Sequence, residues 1–169
     1  RFLQNTNEEA LGEAIHALSK SLALETNSPL SARAWGRMGD YHKQWALIVK
    51  TNEAEFDLAK QAYENSIQSQ GADISCRNQA QIGLGEVFEH RGNPIAALVQ
   101  YRKVIDDEES DLFWVKEAGL AAVRILESRE EWDSVQKVYE RLKRILPALG
   151  PVFEKKILIA QSHLDAAKK

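Results

Sequence analysis

Apolar residues recur three or four positions apart through almost the whole chain, and polar residues fill the positions between them. Near the start, Leu11, Ile15, Leu18 and Leu22 follow this spacing. Such spacing places the apolar side chains on one face of an α-helix. No stretch shows the strict alternation of apolar and polar residues that is typical of a half-buried strand. The pattern therefore predicts an all-α protein.

Capping residues and helix breakers divide this pattern into segments. Proline follows a capping residue at Ser28-Pro29 and Asn93-Pro94, and Asp73 stands ahead of another apolar run. Three further starts have a polar residue three positions ahead of a glutamate: Thr6 with Glu9, Asn52 with Glu55, and Ser128 with Glu131. We predict about eight helices with short connections, the first over about 7–25 and the last over about 152–167.

A step of an apolar residue followed by glycine recurs along the chain, at Met38-Gly39 and Leu84-Gly85. Gly119 lies 34 residues after Gly85, which is the length of one tetratricopeptide repeat. The stretch 78–109 resembles such a repeat, and its matching positions are Leu84, Gly85, Phe88, Gly92, Ala97, Tyr101, Val104 and Ile105.

The resemblance implies a right-handed α-α superhelix of helical hairpins, with three repeats and flanking helices in a single domain over 1–169. In this arrangement Gly85 faces Ala97 across a tight hairpin. The preceding unit has 20 residues from Gly39 to Ala59 in place of 12, which amounts to about two extra helical turns. We therefore expect 46–58 to be mostly helical, with the turn near Thr51-Asn52.

Composition and charge exclude several functions. The net charge of −3 gives no electrostatic basis for nucleic-acid binding. The longest apolar run, Trp45 to Val49, is far shorter than the roughly 20 residues that span a bilayer, so we expect no membrane insertion by this segment. The single cysteine, Cys76, excludes an internal disulfide bond.

No motif for catalysis or metal binding is present. The four histidines have no partner at a metal-binding spacing, and we interpret each as a surface or half-buried residue: His16, His42, His90 and His163. The close glycines Gly83 and Gly85 sit in a helical pattern and are interpreted as packing residues. We expect a protein that is not an enzyme and that binds no metal or organic cofactor.

The resemblance also implies a binding surface, because the first helices of successive tetratricopeptide units line a concave groove. Its implied partner-binding residues are Arg33, Asp40, Lys43, Gln79, Glu86, Glu89, His90, Lys116 and Arg124. Asp40 and Glu86 stand where chaperone-binding members hold a peptide carboxylate with asparagine, so we exclude that mode of binding. The alternative interpretation is that all these residues are simply a solvated surface.

The expected function is a non-catalytic scaffold for protein interaction or assembly, which binds a peptide or protein partner in this groove. Two alternatives remain open at this point: a regulatory or substrate-docking domain of a multidomain enzyme, and a homo-oligomerisation element. Because the chain begins at Arg1, we expect a fragment of a longer protein. Irregular repeats of this kind in bacterial envelope proteins favour a periplasmic or cell-envelope location over the cytoplasm.

Overall fold

The structure is a computed structural model that describes residues 2–24, 28–49 and 53–167, with 2–7 described by their backbone alone. These residues form eight α-helices and one 3₁₀-helix, Pro147–Leu149, and contain no strand. The all-α prediction is confirmed. The α-helices are α1 (Phe2–Leu24), α2 (Pro29–Ile48), α3 (Glu53–Gln68), α4 (Ile74–His90), α5 (Pro94–Asp106), α6 (Leu112–Ser128), α7 (Trp132–Ile145) and α8 (Gly150–Ala166).

Contacts between Cα atoms divide the chain into two compact units, Arg1–Gln100 and Tyr101–Lys169, here called unit 1 and unit 2. The division falls within the sequence of α5. Each unit is described by itself. The single domain over 1–169 and the right-handed superhelix stay predictions.

Unit 1 is built on the hairpin of α2 and α3. Helix α4 packs on both of them, and α1 packs on α2. The main apolar cluster comes from α2, α3 and α4 and centres on Tyr63, which is fully buried. A second cluster forms where α1 brings Leu22 against Met38 and Ala62. The helices therefore bury the faces that their apolar spacing predicts.

The ring of Tyr63 on α3 lies between two glycines. A Cβ at Gly39 on α2 would lie 2.6 Å from two ring carbons, and a Cβ at Gly83 on α4 would lie 2.4 Å from Cζ. These distances are far below van der Waals contact, so both helices approach the ring at positions where only glycine fits without a shift. The interpretation of Gly83 as a packing residue is confirmed.

The extended hairpin and the Gly85 contact are only partly described. Residues 46–48 and 53–58 are helical, as predicted, whereas the predicted turn at Thr51-Asn52 lies outside the described residues. Gly85 and Ala97 are both buried, and their direct contact stays a prediction.

Several predicted helix caps are confirmed. Ser28 accepts a hydrogen bond from the Ser31 amide at 3.2 Å, Asp73 Oδ1 accepts from the Cys76 amide at 2.7 Å, and Asn93 Oδ1 accepts from the Ala96 amide at 3.0 Å. Each side chain satisfies an amide that has no partner within its helix.

Two predicted helix starts are wrong. Ser128 ends α6 and its hydroxyl donates to the Ile125 carbonyl at 2.7 Å. Glu131 precedes α7 without a side-chain capping bond, after Glu130 with a left-handed φ of 58°. Thr6 also lies inside a helix, because α1 begins at Phe2. Between α6 and α7 the chain therefore turns through the left-handed backbone conformation of Glu130, and the capping box predicted at Ser128 and Glu131 does not form.

In unit 2, α7 packs on both α6 and α8. A Cβ at Gly119 on α6 would lie 2.7 Å from Cδ2 of Leu142 on α7. Tyr139 on α7 contacts Phe153 on α8, with their ring centres 5.9 Å apart. The third predicted glycine step therefore also marks a close contact between two helices.

We expect Gly83→Ala to lower the free energy of unfolding by roughly 1–3 kcal/mol, because the added methyl group overpacks the Tyr63 ring. Gly12→Ala is the matched control. A Cβ there meets Trp45 at an ordinary 3.5 Å, and alanine favours the helix by up to about 1 kcal/mol. Urea denaturation followed by circular dichroism measures both variants. Equal stability of the two would contradict the close contact.

Candidate functional site

Polar side chains bridge α2 and α4 along one face of unit 1. We call this set the α2–α4 ladder, and its pairs are Arg33–Asp73, Asp40–Gln79 and Lys43–Glu86. The residue numbers of the partners rise together on both helices, so α2 and α4 run in the same direction. Six residues with mixed charge are thereby held in fixed pairs on this face.

Asp40 is the ladder residue that forms a hydrogen bond with the core. Its carboxylate accepts a hydrogen bond from the Tyr63 hydroxyl at 2.7 Å and from Gln79 Nε2 at 3.3 Å. Burial, with the nearby Asp40 charge, raises the pKa of Tyr63 well above its usual value. Tyr63 therefore stays protonated and donates to Asp40. This hydrogen bond from the core orients the Asp40 carboxylate.

Lys43 compensates the second acidic residue of the ladder. Its ammonium group pairs with Glu86 and lies 5.6 Å from the centre of the Tyr63 ring. In the structure both Asp40 and Glu86 face hydrogen-bond donors. The exclusion of the chaperone-type mode of carboxylate binding stays a prediction.

The first ladder pair joins α2 to the start of α4. Asp73 caps α4 through the Cys76 amide, and its other oxygen accepts from Arg33 Nη2 at 2.9 Å. These two hydrogen bonds, the backbone one foremost, lower the pKa of Asp73 below its ordinary value. Asp73 therefore stabilises the helix start and the contact between helices with one carboxylate.

A cleft of about 250 Å³ opens beside this pair. Arg37, which the sequence analysis did not select, stands one helical turn after Arg33, is exposed, and lies on this cleft. It forms no hydrogen bond or ion pair within the described part of the chain. The spacing of the two arginines was the signal that could have identified it. The lining residues are Arg33, Gly36, Arg37, Asp73, Ser75, Cys76 and Gln79.

The remaining predicted residues of unit 1 lie near the end of α4. Glu89 is half-buried and interacts with another group of the protein. His90 stacks on Phe56 of α3 with 5.8 Å between ring centres. His90 therefore takes part in the contact between α3 and α4, and the ladder does not include it.

The predicted residues of unit 2 lie on α6 and form a different kind of surface. Lys116 pairs with Glu117 at 3.2 Å and lies 5.5 Å from the Phe113 ring centre. Phe113 and Leu120 are 57% and 42% exposed. We call Phe113, Lys116, Leu120 and Arg124 the α6 stripe, because their spacing places them on one helical face. A single groove that joins this stripe to the ladder stays a prediction.

The histidines differ from the expectation at one position. His42 is buried, and its Nδ1 lies 2.6 Å from Oε2 of Glu55, a pair that joins α2 to α3. The exposed His163 stacks on Trp132 at 3.8 Å. Within residues 2–24, 28–49 and 53–167, no three His, Cys, Asp or Glu side chains cluster as metal ligands. That the protein binds no metal or cofactor stays a prediction.

Comparison of this chain with models of protein families, with curated proteins and with solved structures finds no match. Among the described helices, none is both long enough and apolar enough to cross a membrane. The arrangement offers surface recognition by paired charges, a free guanidinium group and exposed apolar side chains.

We expect Asp73→Ala to lower the free energy of unfolding by about 1 kcal/mol at pH 7, because α4 loses its cap. Since the pKa of Asp73 is lowered on folding, its charge stabilises the fold above the unfolded pKa of about 3.9. This stabilisation disappears as pH falls through the folded pKa.

Urea denaturation between pH 7 and pH 3 should therefore show the difference between the wild type and Asp73→Ala shrinking towards acid. Asp73→Asn, which keeps an oxygen that can cap the helix, serves as the control and should lose less stability. A difference that grows as pH falls would contradict the assignment.

Proposed function

We propose that this chain is a tetratricopeptide-like, non-catalytic module that binds a segment of a partner protein on the face of unit 1 that carries the α2–α4 ladder, here called the α2–α4 face. The observation that carries the proposal is the α2–α4 ladder. Neighbouring helices that run in the same direction are the arrangement expected for first helices of successive hairpin repeats. The ladder gives this face donors and acceptors at repeated intervals along both helices.

The fixed side chains support a binding role on energetic grounds. Holding a flexible side chain in place on binding opposes association by about 0.5–1.5 kcal/mol for each such group. Lys43, Glu86 and Asp40 are already held by contacts within unit 1. The side chains of this face are therefore already ordered before a partner binds, and less side-chain entropy is lost on binding there.

Arg37 is the direct contact that we propose in unit 1. It is exposed and forms no ion pair within the described residues, and it lies with Arg33 on the cleft beside the start of α4. A guanidinium group binds a carboxylate through two parallel hydrogen bonds. The cleft therefore suits an acidic side chain of the partner.

The α6 stripe supplies a second contact of different chemistry. Phe113 and Leu120 expose apolar surface next to two cationic side chains, Lys116 and Arg124. Aromatic residues and arginine contribute strongly at protein interfaces. A partner residue with an apolar side chain next to an acidic one suits this surface of unit 2.

A second candidate function, homo-oligomerisation, is favoured by α8. Val152, Leu158 and Ile159 are exposed on this helix, each by half of its surface or more. Light scattering after size exclusion gives the mass in solution. A dimer that Leu158→Lys converts to a monomer would support this candidate, and a monomeric wild type would reject it.

We expect Arg37→Glu to reduce capture of the native partner at least about tenfold, because one charge-assisted contact to a carboxylate is replaced by repulsion. The purified chain is used to isolate partners from its source cells, and mass spectrometry quantifies them. Melting should stay unchanged, since Arg37 forms no hydrogen bond or ion pair among the described residues. Charge reversal at Glu86 is a poorer test because it would place two ammonium groups together at Lys43.

Arg144→Glu is the matched control for this experiment. Arg144 is exposed on α7 and lies outside the α2–α4 face. Capture that survives Arg37→Glu but is lost with Arg144→Glu would refute the proposed face and move the binding surface to α7.

A further inference from the structure

Unit 2 contains a second cleft, of about 230 Å³, between the end of α5 and α7. It does not involve α2, α4 or the α6 stripe. We call it the α5–α7 cleft, and it is lined by Arg102, Ile105, Asp106, Ser134, Lys137, Val138 and Arg141.

Arg141 carries the unusual feature of this cleft. Its Nε is buried, and it has no hydrogen-bond partner in the described structure. A guanidinium group is charged at every relevant pH, and a buried charged donor without an acceptor is unfavourable for the folded state. Most buried polar groups in proteins have a partner, so this orphan donor sets Arg141 apart from the other side chains that line the cleft.

The other charges of the cleft do not satisfy this donor. Lys137 already pairs with Asp133, one turn before it on α7. Asp106 lines the cleft, but it forms no hydrogen bond or ion pair with Arg102 or Arg141. Two guanidinium groups without an ion pair among the described residues therefore line the cleft with a single unpaired carboxylate, and the cleft has an excess of positive charge.

The walls of the cleft narrow the chemistry of its ligand. Ile105 and Val138 provide apolar surface on both helices, and Ser134 provides a hydroxyl group. An oxyanion on a short aliphatic stem uses both the cationic and the apolar walls, whereas inorganic phosphate uses only the charge. The side chain of glutamate or aspartate has this form.

We infer that the α5–α7 cleft binds the side-chain carboxylate of an acidic residue from a partner polypeptide, with Arg141 and Arg102 as its donors. None of the residues that line this site belongs to the α2–α4 ladder, and the inference does not depend on the function proposed for that ladder.

The test follows the Arg141 Nε–H signal of the full chain by nitrogen-edited NMR while a ligand is added. The probe is N-acetylglutamate N-methylamide, and its glutamine analogue is the matched neutral compound. The glutamate probe should shift this signal saturably, and the glutamine probe should not. No response to the glutamate probe would overturn the inference.

Variants separate the residues involved. Arg102→Gln should weaken binding of the glutamate probe roughly tenfold, since one charge-assisted hydrogen bond is lost. Arg144→Gln, the same change at a residue of α7 that does not line the cleft, should have no effect. Asp106→Asn should strengthen binding because it removes the like charge. Equal weakening by Arg102→Gln and Arg144→Gln would show only a general charge effect and would overturn the site.

Two further results would contradict the inference. If Asp106 is the true partner of Arg141 in solution, Asp106→Asn lowers the melting temperature and does not improve binding of the glutamate probe. If inorganic phosphate shifts the Arg141 signal at lower concentration than the glutamate probe does, the cleft is a free-phosphate site, and the assignment to an acidic side chain is wrong.

Discussion

The contact of the Tyr63 ring with Gly39 and Gly83 is the constraint on which unit 1 depends. Tyr63 is fully buried on α3, and a side chain at either glycine would collide with its ring. Because α2 and α4 both approach this one ring, they lie side by side there, and the ladder pairs show that they run in the same direction. The Tyr63 hydroxyl then meets Asp40 at 2.7 Å. A packing requirement in the core thus determines which polar side chains can pair at the surface.

The pairs that result make net charge a poor guide to recognition. The chain carries a net charge of −3, yet each unit has a cleft that is lined by two arginines and one aspartate. In unit 1 the three acids of the ladder are paired with Tyr63, Gln79, Lys43 and Arg33. Arg37 forms no ion pair among the described residues. In unit 2 Arg141 lacks an acceptor among the described residues. We propose acidic partner side chains for both clefts on these local grounds.

Local features of the fold could be predicted from the sequence, whereas contacts between distant segments could not. The caps at Ser28, Asp73 and Asn93 act within three residues, so the sequence pattern contains them. The turn after Ser128 depends on the left-handed conformation of Glu130, which that residue type does not indicate. Lys43 and Glu86 are 43 residues apart, and their pairing follows only from how α4 packs. For the same reason Gly83 was assigned to packing without its partner, Tyr63, being identified.

A double-mutant cycle between Tyr63 and Gly83 tests the central claim most directly. If the ring is what excludes a side chain at Gly83, then Gly83→Ala should destabilise the wild type but have little effect in a Tyr63→Leu background. The two changes should then show a coupling free energy of roughly 1 kcal/mol or more in urea denaturation. Additive effects of the two substitutions would mean that Gly83 does not accommodate the ring, and would contradict the account of how the α2–α4 face is built.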